Sequence, residues 1–377
     1  MDAKRFDTTC LRDSISWLPH EVLGSILSLL PTKQAASTAL LSKQWRYLFR
    51  LVDNLDFDDS VSLHAGEDKL AFPESFENFK SSLKVVSYDE RQKACVDRWI
   101  SNVAGRGVLE ADLRIKDMGT LSLPPQLFAS KTLVKLTLGS QLYLENIPSY
   151  VLLPSLKLLF IDSVYFQYED LCGVLLAGCP VLEELSVHHK GFLPMPHTIS
   201  SPSIKRLSVY YDSLYFNGCD FMSLDLPKLS IEAKMDLHPT DMVKTPDVTD
   251  LIVGIRNVEI LHLSSVSAHV IYSYCRYKLP VFGNLAPKLE TLIVHVLNGY
   301  TGNVSMPLNK VKALHIPGYR GTAEELKSFL GEFKCIERVQ VDVAEAAEDD
   351  NIILQTKRDL IMLLAVSLPS NCYSKVT

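Results

Sequence analysis

Four of the chain's ten histidines, His188, His262, His295 and His315, each follow an apolar residue in segments where apolar and other residues alternate. On a strand, that alternation sends every second side chain to one face. Imidazoles gathered on one face could hold a metal ion or change charge near neutral pH. The plainer reading is a polar, mildly aromatic surface in which His262, His295 and His315 join Phe160 and Tyr210 to contact a protein partner. Other chemistry is sparse. No G-x-S-x-G elbow, P-loop, G-x-G-x-x-G or H-E-x-x-H occurs. The eight cysteines are scattered without a C-x-x-C pair, as reduced, mostly buried thiols are. The carboxylates Asp53, Asp56, Asp58 and Asp59, and the run Glu345, Glu348, Asp349 and Asp350, read as solvated. No catalytic residue, metal site or cofactor is assigned, and the chain is expected not to be an enzyme.

Composition bounds the rest. The chain has 377 residues, is 47% hydrophobic and carries a net charge of −6. That length allows a large core or two domains. The charge, with no cluster of Lys and Arg, argues against nucleic acid. Met1 to Asp7 contains no apolar h-region. The most apolar run, Tyr150 to Val164, is interrupted by Pro154, Lys157 and Asp162, so it is too polar to span a bilayer. A cytoplasmic and/or nuclear protein away from membranes is expected.

Near the start, apolar spacing predicts three short helices. Leu18-Pro19 opens the first, which carries Val22, Leu23, Ile26, Leu27 and Leu30. Pro31-Thr32 ends it and begins the second, with Thr32 as its N-cap and Ala35, Ala36, Ala39 and Leu40 as its stripe. Ser42 caps a third helix with Trp45, Leu48 and Phe49. Each helix is too short to be stable alone, so the unit needs a partner surface to cover its remaining apolar side chains.

From about residue 130 one pattern recurs: apolar, two variable positions, apolar, one variable, apolar. It reads Leu133/Leu136/Leu138, Leu156/Leu159/Ile161, Leu182/Leu185/Val187, Ile204/Leu207/Val209, Leu226/Leu229/Ile231, Val258/Leu261/Leu263, Leu289/Leu292/Val294, Val311/Leu314/Ile316 and Ile336/Val339/Val341. Glu110/Leu113/Ile115 is a degenerate earlier copy. First positions are 23, 26, 22, 22, 32, 31, 22 and 25 residues apart, mostly within the leucine-rich-repeat range. The two long intervals need insertions, so the register between about 226 and 289 stays open. Stacked strands would bury a core that no repeat could bury alone. Proline two residues before several first positions (Pro154, Pro180, Pro202, Pro287) favours an extended entry into the strand. The positions beside the apolar ones should line the concave face. One column holds Thr137, Phe160, Ser186, Ser208, Ser230, His262, Ile293, His315 and Gln340. The next holds Gly139, Asp162, His188, Tyr210, Glu232, Ser264, His295, Pro317 and Asp342.

Asp13, Ile15, Leu18-Pro19, Ile26, Leu29 to Lys33, Leu41-Ser42-Lys43 and Trp45-Arg46 resemble the F-box in order and spacing. Gly24 in mid-helix and Gln44, where a basic residue is usual, depart from that family. The stretches Leu127 to Leu136, Leu153 to Lys157 and Gly178 to Leu185 look like the plant F-box/leucine-rich-repeat family. Val311 to Val343, with Gly318 to Gly321 and a helix from Ala323 to Leu330, resembles that family's FBD region. The resemblance implies an α/β fold: a three-helix F-box at 13–57, a connector and helical N-terminal cap at 58–105, leucine-rich repeats at 106–310 and FBD-like repeats with a cap at 311–377. The repeats would form a curved parallel sheet with a helical or irregular convex side. Phe72, Phe76, Phe79, Leu83, Val96, Trp99 and Ile100 would build the helical cap, and Leu360 to Ser374 a closing helix. It also implies docking to a Skp-type adaptor, and through it to a cullin, by Leu18, Pro19, Ile26, Leu30, Pro31, Leu40, Leu41, Ser42 and Trp45. The repeats would hold a target protein for ubiquitination. A small-molecule-dependent receptor using the concavity and a non-degradative interaction scaffold remain alternatives.

Overall fold

The computed structural model describes residues 18–38, 40–48, 51–52, 54–57, 82–85, 100–101, 104–105, 107–114, 120–121, 123–139, 143–144, 148, 150–166, 171–190, 198–214, 223–239, 248–278, 287–295, 310–331, 333–344 and 350–377. Asp13, Ile15, Ala39, Phe49, Asp53, Asp58, Asp59, Phe72, Phe76, Phe79, Val96, Trp99, Ile115, Glu345, Glu348 and Asp349, named above, lie outside the described residues.

Three helices come first: α1 (His20–Ser28), α2 (Thr32–Thr38) and α3 (Lys43–Leu48). Pro19 is the N-cap of α1, and its carbonyl accepts the Leu23 N–H. The N–H that proline lacks has no helical partner there anyway. Helix α2 starts one residue earlier than expected. The Pro31 carbonyl accepts from Gln34 and Ala35, so Pro31 takes the cap position assigned above to Thr32. Ser42 does cap α3, its hydroxyl accepting from the Trp45 N–H at 3.3 Å. Leu23, Leu27, Ala35, Leu48 and Val52 form a small core of their own, with Trp45 and Leu51 packed on it. Gly24 is buried here, and a Cβ on it would lie 2.7 Å from the Leu51 Cβ. Close approach of α1 to Leu51 therefore accounts for a glycine that helix propensity disfavours.

The strands are β1 (Asn54–Phe57), β2 (Ser82–Val85), β3 (Glu110–Arg114), β4 (Thr120–Leu121), β5 (Lys135–Gly139), β6 (Tyr143–Leu144), β7 (Leu158–Asp162), β8 (Tyr165–Phe166), β9 (Glu184–Lys190), β10 (Thr198–Ser200), β11 (Arg206–Leu214), β12 (Ser223–Asp225), β13 (Glu232–Pro239), β14 (Ile260–Ser264), β15 (Thr291–His295), β16 (Ala313–Tyr319), β17 (Arg338–Val343) and β18 (Tyr373–Val376). Thirteen of them form one sheet, β1-β2-β3-β5-β7-β9-β11-β13-β14-β15-β16-β17-β18. Its strand pairs are parallel throughout. A chain that adds each strand beside the last, always in the same direction, builds a solenoid. Small parallel sheets β4-β6-β8 and β10-β12 recur after successive repeats.

The repeat leucines do what their spacing requires. Leu133, Leu136 and Leu138 are buried, as are Leu156, Leu159 and Ile161, and the corresponding triplets from β9, β11 and β14 to β17, in one continuous core. Proline plays a different part from the one expected. The Leu156 N–H bonds the Leu153 carbonyl, Leu182 bonds Cys179 and Leu229 bonds Leu226. Pro154, Pro180 and Pro227 thus occupy the second position of four-residue turns, where a fixed φ is an advantage.

Those turns settle the open register. Leu226 matches Leu153 and Cys179 as the buried residue ahead of the proline, and Leu229 matches Leu156 and Leu182. The inward residues of β13 are Ala233, Met235 and Leu237, not Leu229 and Ile231, because one extra residue precedes this strand. The hydrogen-bond ladder carries the same mark. At β5, β7, β9, β11, β15, β16 and β17 one carbonyl accepts from two successive N–H groups of the next repeat, such as Glu183 from Lys205 and Arg206. At β13 the Lys205 carbonyl accepts from Ile231. The degenerate copy is corrected likewise: Val108, Ala111 and Leu113 are the buried triplet and Glu110 is exposed. Both strands carry an alanine in the central leucine slot, and β13 has the extra residue besides.

The long intervals hold helices Thr249–Ile255 and Ser265–Lys278. Leu83 lies in β2, a strand of the main sheet, rather than in a helical cap. Its neighbours Ser82-Leu83-Lys84-Val85 alternate with period two, which suits a strand. Ile100 is helical and buried. At the far end, the helix Ala323–Leu330 opens on a capping box between Thr322 and Glu325. The closing helix is Asp350–Ser367, earlier than expected, and Pro369 follows it. Residues 373–376 then form the last strand beside β17. Leu360 and Leu364 are buried under the sheet end.

Candidate docking and target-recognition surfaces

Two surfaces stand out by their composition. The first belongs to α1–α3. Leu18, Val22, Ile26 and Leu30 are between 37% and 44% exposed, while Leu29, Leu41 and Leu40 reach 84%, 70% and 85%. Pro19, Pro31 and Ser42 are also exposed. Among its described residues the module therefore shows more large apolar side chains to solvent than the five apolar side chains it buries, and exposed apolar surface of this kind marks an interaction site. Trp45 is the exception among the expected docking residues. It is half-buried against the module's own core, so part of its role is to hold the module together.

The second surface is the outward face of the long sheet. Asp112, Thr137, Phe160, Ser186, Ser208, Lys234, His262, Ile293, His315 and Gln340 are successive cross-strand partners. Arg114, Gly139, Asp162, His188, Tyr210 and Asp236 form the next row. The rows match the sequence columns except on β13, where Lys234 and Asp236 replace Ser230 and Glu232. Asp112, Arg114, Lys234, Asp236 and His238 were missed for the reason given above. Recognising Ala111 and Ala233 as repeat positions would have found them.

The face is joined by rings and ion pairs. Phe160 meets His188 edge-on at 4.7 Å between centroids. His188 lies 5.7 Å from Tyr210, and Tyr210 lies 6.1 Å from His238. The Arg114 guanidinium sits over the Phe160 ring at 5.8 Å and pairs with Asp112 at 3.1 Å. His262 and His295 stack with their ring centroids 6.0 Å apart. Burial lowers the His262 pKa, opposed by Glu232, whose carboxylate it meets at 2.7 Å. Burial also lowers that of His295, with the nearby His315 acting in the same direction. His315 Nε2 meets Asp342 at 2.5 Å, and Gln340 and Thr377 also bond Asp342. Burial pushes the Asp342 carboxyl up, but these three hydrogen bonds outweigh it and bring the pKa down to about 2. Phe160 and Tyr210 thus share one strip, while His262, His295 and His315 belong to its continuation across β14–β16.

Among the described residues no group of three or more His, Cys, Asp or Glu is placed to hold a metal ion. Cys179 is buried, and burial pushes its thiol up to about 12, which leaves it unreactive. A cleft of about 640 Å³ lies at the starts of β14–β17, lined by Glu259, Lys288, Glu290, Lys310, Lys312 and Glu337 among others. Such a charged lining differs from the apolar enclosure that suits a small-molecule receptor. No described helix is long and apolar enough to cross a membrane.

Three helices with exposed apolar side chains, ahead of a parallel-strand solenoid, define a small helical module joined to a repeat scaffold. Comparison with known proteins agrees. The F-box domain profile matches residues 15–57, and that of the LRR repeats of FBD-associated F-box protein At5g56370 matches residues 96–341. The F-box/LRR-repeat protein At3g60040 of Arabidopsis thaliana is 58% identical over 449 aligned positions covering 100% of both chains. The F-box/LRR-repeat protein At1g06630 of the same plant is 50% identical over 91% of this chain and 100% of its own. The chain belongs to the F-box/LRR-repeat family. Proteins of this family are generally substrate adaptors, typically without enzymatic activity, and the F-box implies binding to a Skp-type adaptor.

Proposed function

We propose that the protein is the substrate-recognition subunit of an SCF-type cullin–RING ubiquitin ligase, acting in the cytoplasm and/or nucleus. The uncovered face of α1–α3 docks a Skp-type adaptor, and the outward sheet face holds a target protein. Leu18, Pro19, Ile26, Leu30, Pro31, Leu40, Leu41 and Ser42 supply the docking surface, with Trp45 supporting it from the module core. Phe160, Tyr210, His262, His295 and His315 contact the target. The chain does no chemistry itself. It raises the effective concentration of a target lysine beside the charged conjugating enzyme, which converts an encounter into a local event. The observation that carries this reading is the exposure of Leu29, Leu40 and Leu41 on a module with so small a core.

The test is co-expression with plant Skp-type adaptors and a cullin, comparing the wild type with Leu40→Glu/Leu41→Glu. Both side chains are outside the core, so the variant should fold. The adaptor should be recovered with the wild type and lost with the variant, as checked by circular dichroism alongside. A folded wild type that captures none of several adaptors would end the ligase reading. Phe160→Ala/Tyr210→Ala should keep the adaptor and lose the target, seen as a protein that no longer accumulates on a ligase-dead complex.

A further inference from the structure

We propose that the face of β7–β13 receives an extended basic segment of the target, with one cationic side chain at Asp162, a second at Asp236, and the residues between them lying on His188 and Tyr210. The inference rests on the reading of the sheet face as the target surface, and it names the chemistry of the partner.

Register is the first argument. Asp162, His188, Tyr210 and Asp236 are direct partners across four neighbouring strands. Strands lie about 4.8 Å apart, so the two carboxylates are separated by about 14 Å, the span of about four residues of extended chain. The rings between them, His188 and Tyr210, lie 5.7 Å apart between centroids and offer a platform on which a segment crossing the strands can lie.

Charge is the second. Asp162 accepts a hydrogen bond from the neighbouring Ser163 hydroxyl at 3.1 Å, and Asp236 accepts from His238 at 2.8 Å. A carboxylate has acceptor sites left after one such bond. The nearby cations are committed elsewhere: Arg114 to Asp112 at 3.1 Å and Lys234 to Glu232 at 3.1 Å. An acidic segment laid on this row would meet a carboxylate at each end, whereas a basic one is complementary.

The third argument comes from the chain itself. Arg114 is held on this face by a carboxylate, Asp112, and an aromatic ring, Phe160. In the next row Asp162 stands beside His188 and Asp236 beside Tyr210 on directly paired strands, again an acid next to a ring, though closer together than Asp112 and Phe160, which have Thr137 between them. The same surface already holds one guanidinium between a carboxylate and an aromatic ring.

The experiment uses the full chain bound to its Skp-type adaptor and fluorescent heptapeptides read by anisotropy. One probe has arginines four positions apart with alanine and one tyrosine between. A second has the arginines adjacent, and a third has glutamates in their place. The spaced-arginine probe should bind best, the glutamate probe worst, and added salt should weaken binding. Asp162→Asn and Asp236→Asn should each weaken it about fivefold, in keeping with a half-exposed ion pair. Glu324→Gln, which makes the same charge change on the exposed helix Ala323–Leu330, should leave it unchanged. Equal losses for Glu324→Gln would reduce the effect to overall charge and overturn the proposal. So would equal affinity for spaced and adjacent arginines, or no binding by any arginine probe. The Phe160→Ala/Tyr210→Ala capture of whole target remains a separate readout: loss there, with no effect of Asp162→Asn, would keep the target face and remove the basic segment.

Discussion

The module of α1–α3 and the solenoid solve opposite problems. The solenoid buries a repeated triplet from strand after strand, so each new repeat completes the one before it and the outward face is left polar. Among its described residues the F-box module buries five apolar side chains in a core of its own and leaves Leu29, Leu40 and Leu41 in solvent. In the first region leucine records a place in the core. In the second, Leu23, Leu27 and Leu48 do the same, while Leu29, Leu40 and Leu41 stand in solvent on the proposed docking surface. The same residue type therefore predicts different losses in the two regions: stability in one, association in the other.

The largest effect expected separates them directly. Leu185 is 1% exposed in β9, and Leu185→Ala should cost about 2–5 kcal/mol through lost burial and the cavity left behind. Leu41→Ala, at a side chain 70% exposed, should change stability by no more than about 0.5 kcal/mol, yet weaken adaptor binding by about 2 kcal/mol if it is an interface hot spot. Urea denaturation and adaptor titration on both variants would measure all four quantities. Leu41→Ala lowering stability as much as Leu185→Ala would break the contrast.

Gly24 sharpens the comparison within the module. Helix propensity alone predicts that Gly24→Ala gains about 0.5–1 kcal/mol. The structure predicts the opposite sign, because the added Cβ meets the Leu51 Cβ at 2.7 Å and the Leu51 carbonyl oxygen at 3.1 Å. Overpacking of that kind costs about 1–3 kcal/mol. Thermal unfolding of the variant decides between them, and a raised melting temperature would mean that Leu51 can give way.

How much of this was legible follows from what each feature depends on. The solenoid was readable because leucine spacing repeats, and an argument from periodicity survives one unclear repeat. The register at β3 and β13 was not, because Ala111 and Ala233 fill leucine slots with a residue that carries little pattern signal. The proline turns held the missing information: Pro227 sits before Leu229 as Pro154 sits before Leu156. On the candidate surface, Phe160, His188 and Tyr210 fell in the correct rows from spacing alone. Lys234, Asp236 and His238 did not, since their row depends on the slipped strand. The exposure of Leu40 and Leu41 and the half-burial of Trp45 depend on three-dimensional packing, and a shared apolar character in sequence cannot tell them apart.

The smallest expected effect lies at the opposite end of the chain from the docking module. Asp342 accepts hydrogen bonds from Thr377, His315 and Gln340, which join β18 and β16 to β17. Its carboxyl is brought from 3.8 to about 2 in the folded protein. A carboxyl depressed in this way favours the folded state when ionised. The contribution is complete above the unfolded value near 3.8 and is lost as pH falls through the folded value near 2. Acid unfolding should therefore begin with the last strand in that window, and Asp342→Asn should flatten the pH dependence there while leaving adaptor capture at neutral pH intact. The side chain is 31% exposed, so solvent and salt will keep the effect modest. Hydrogen exchange of residues 373–376 against pH would follow it. Protection that does not change across that window would show that β18 is held by its backbone ladder alone, and the polar contacts of the outward face would then count for recognition and not for stability.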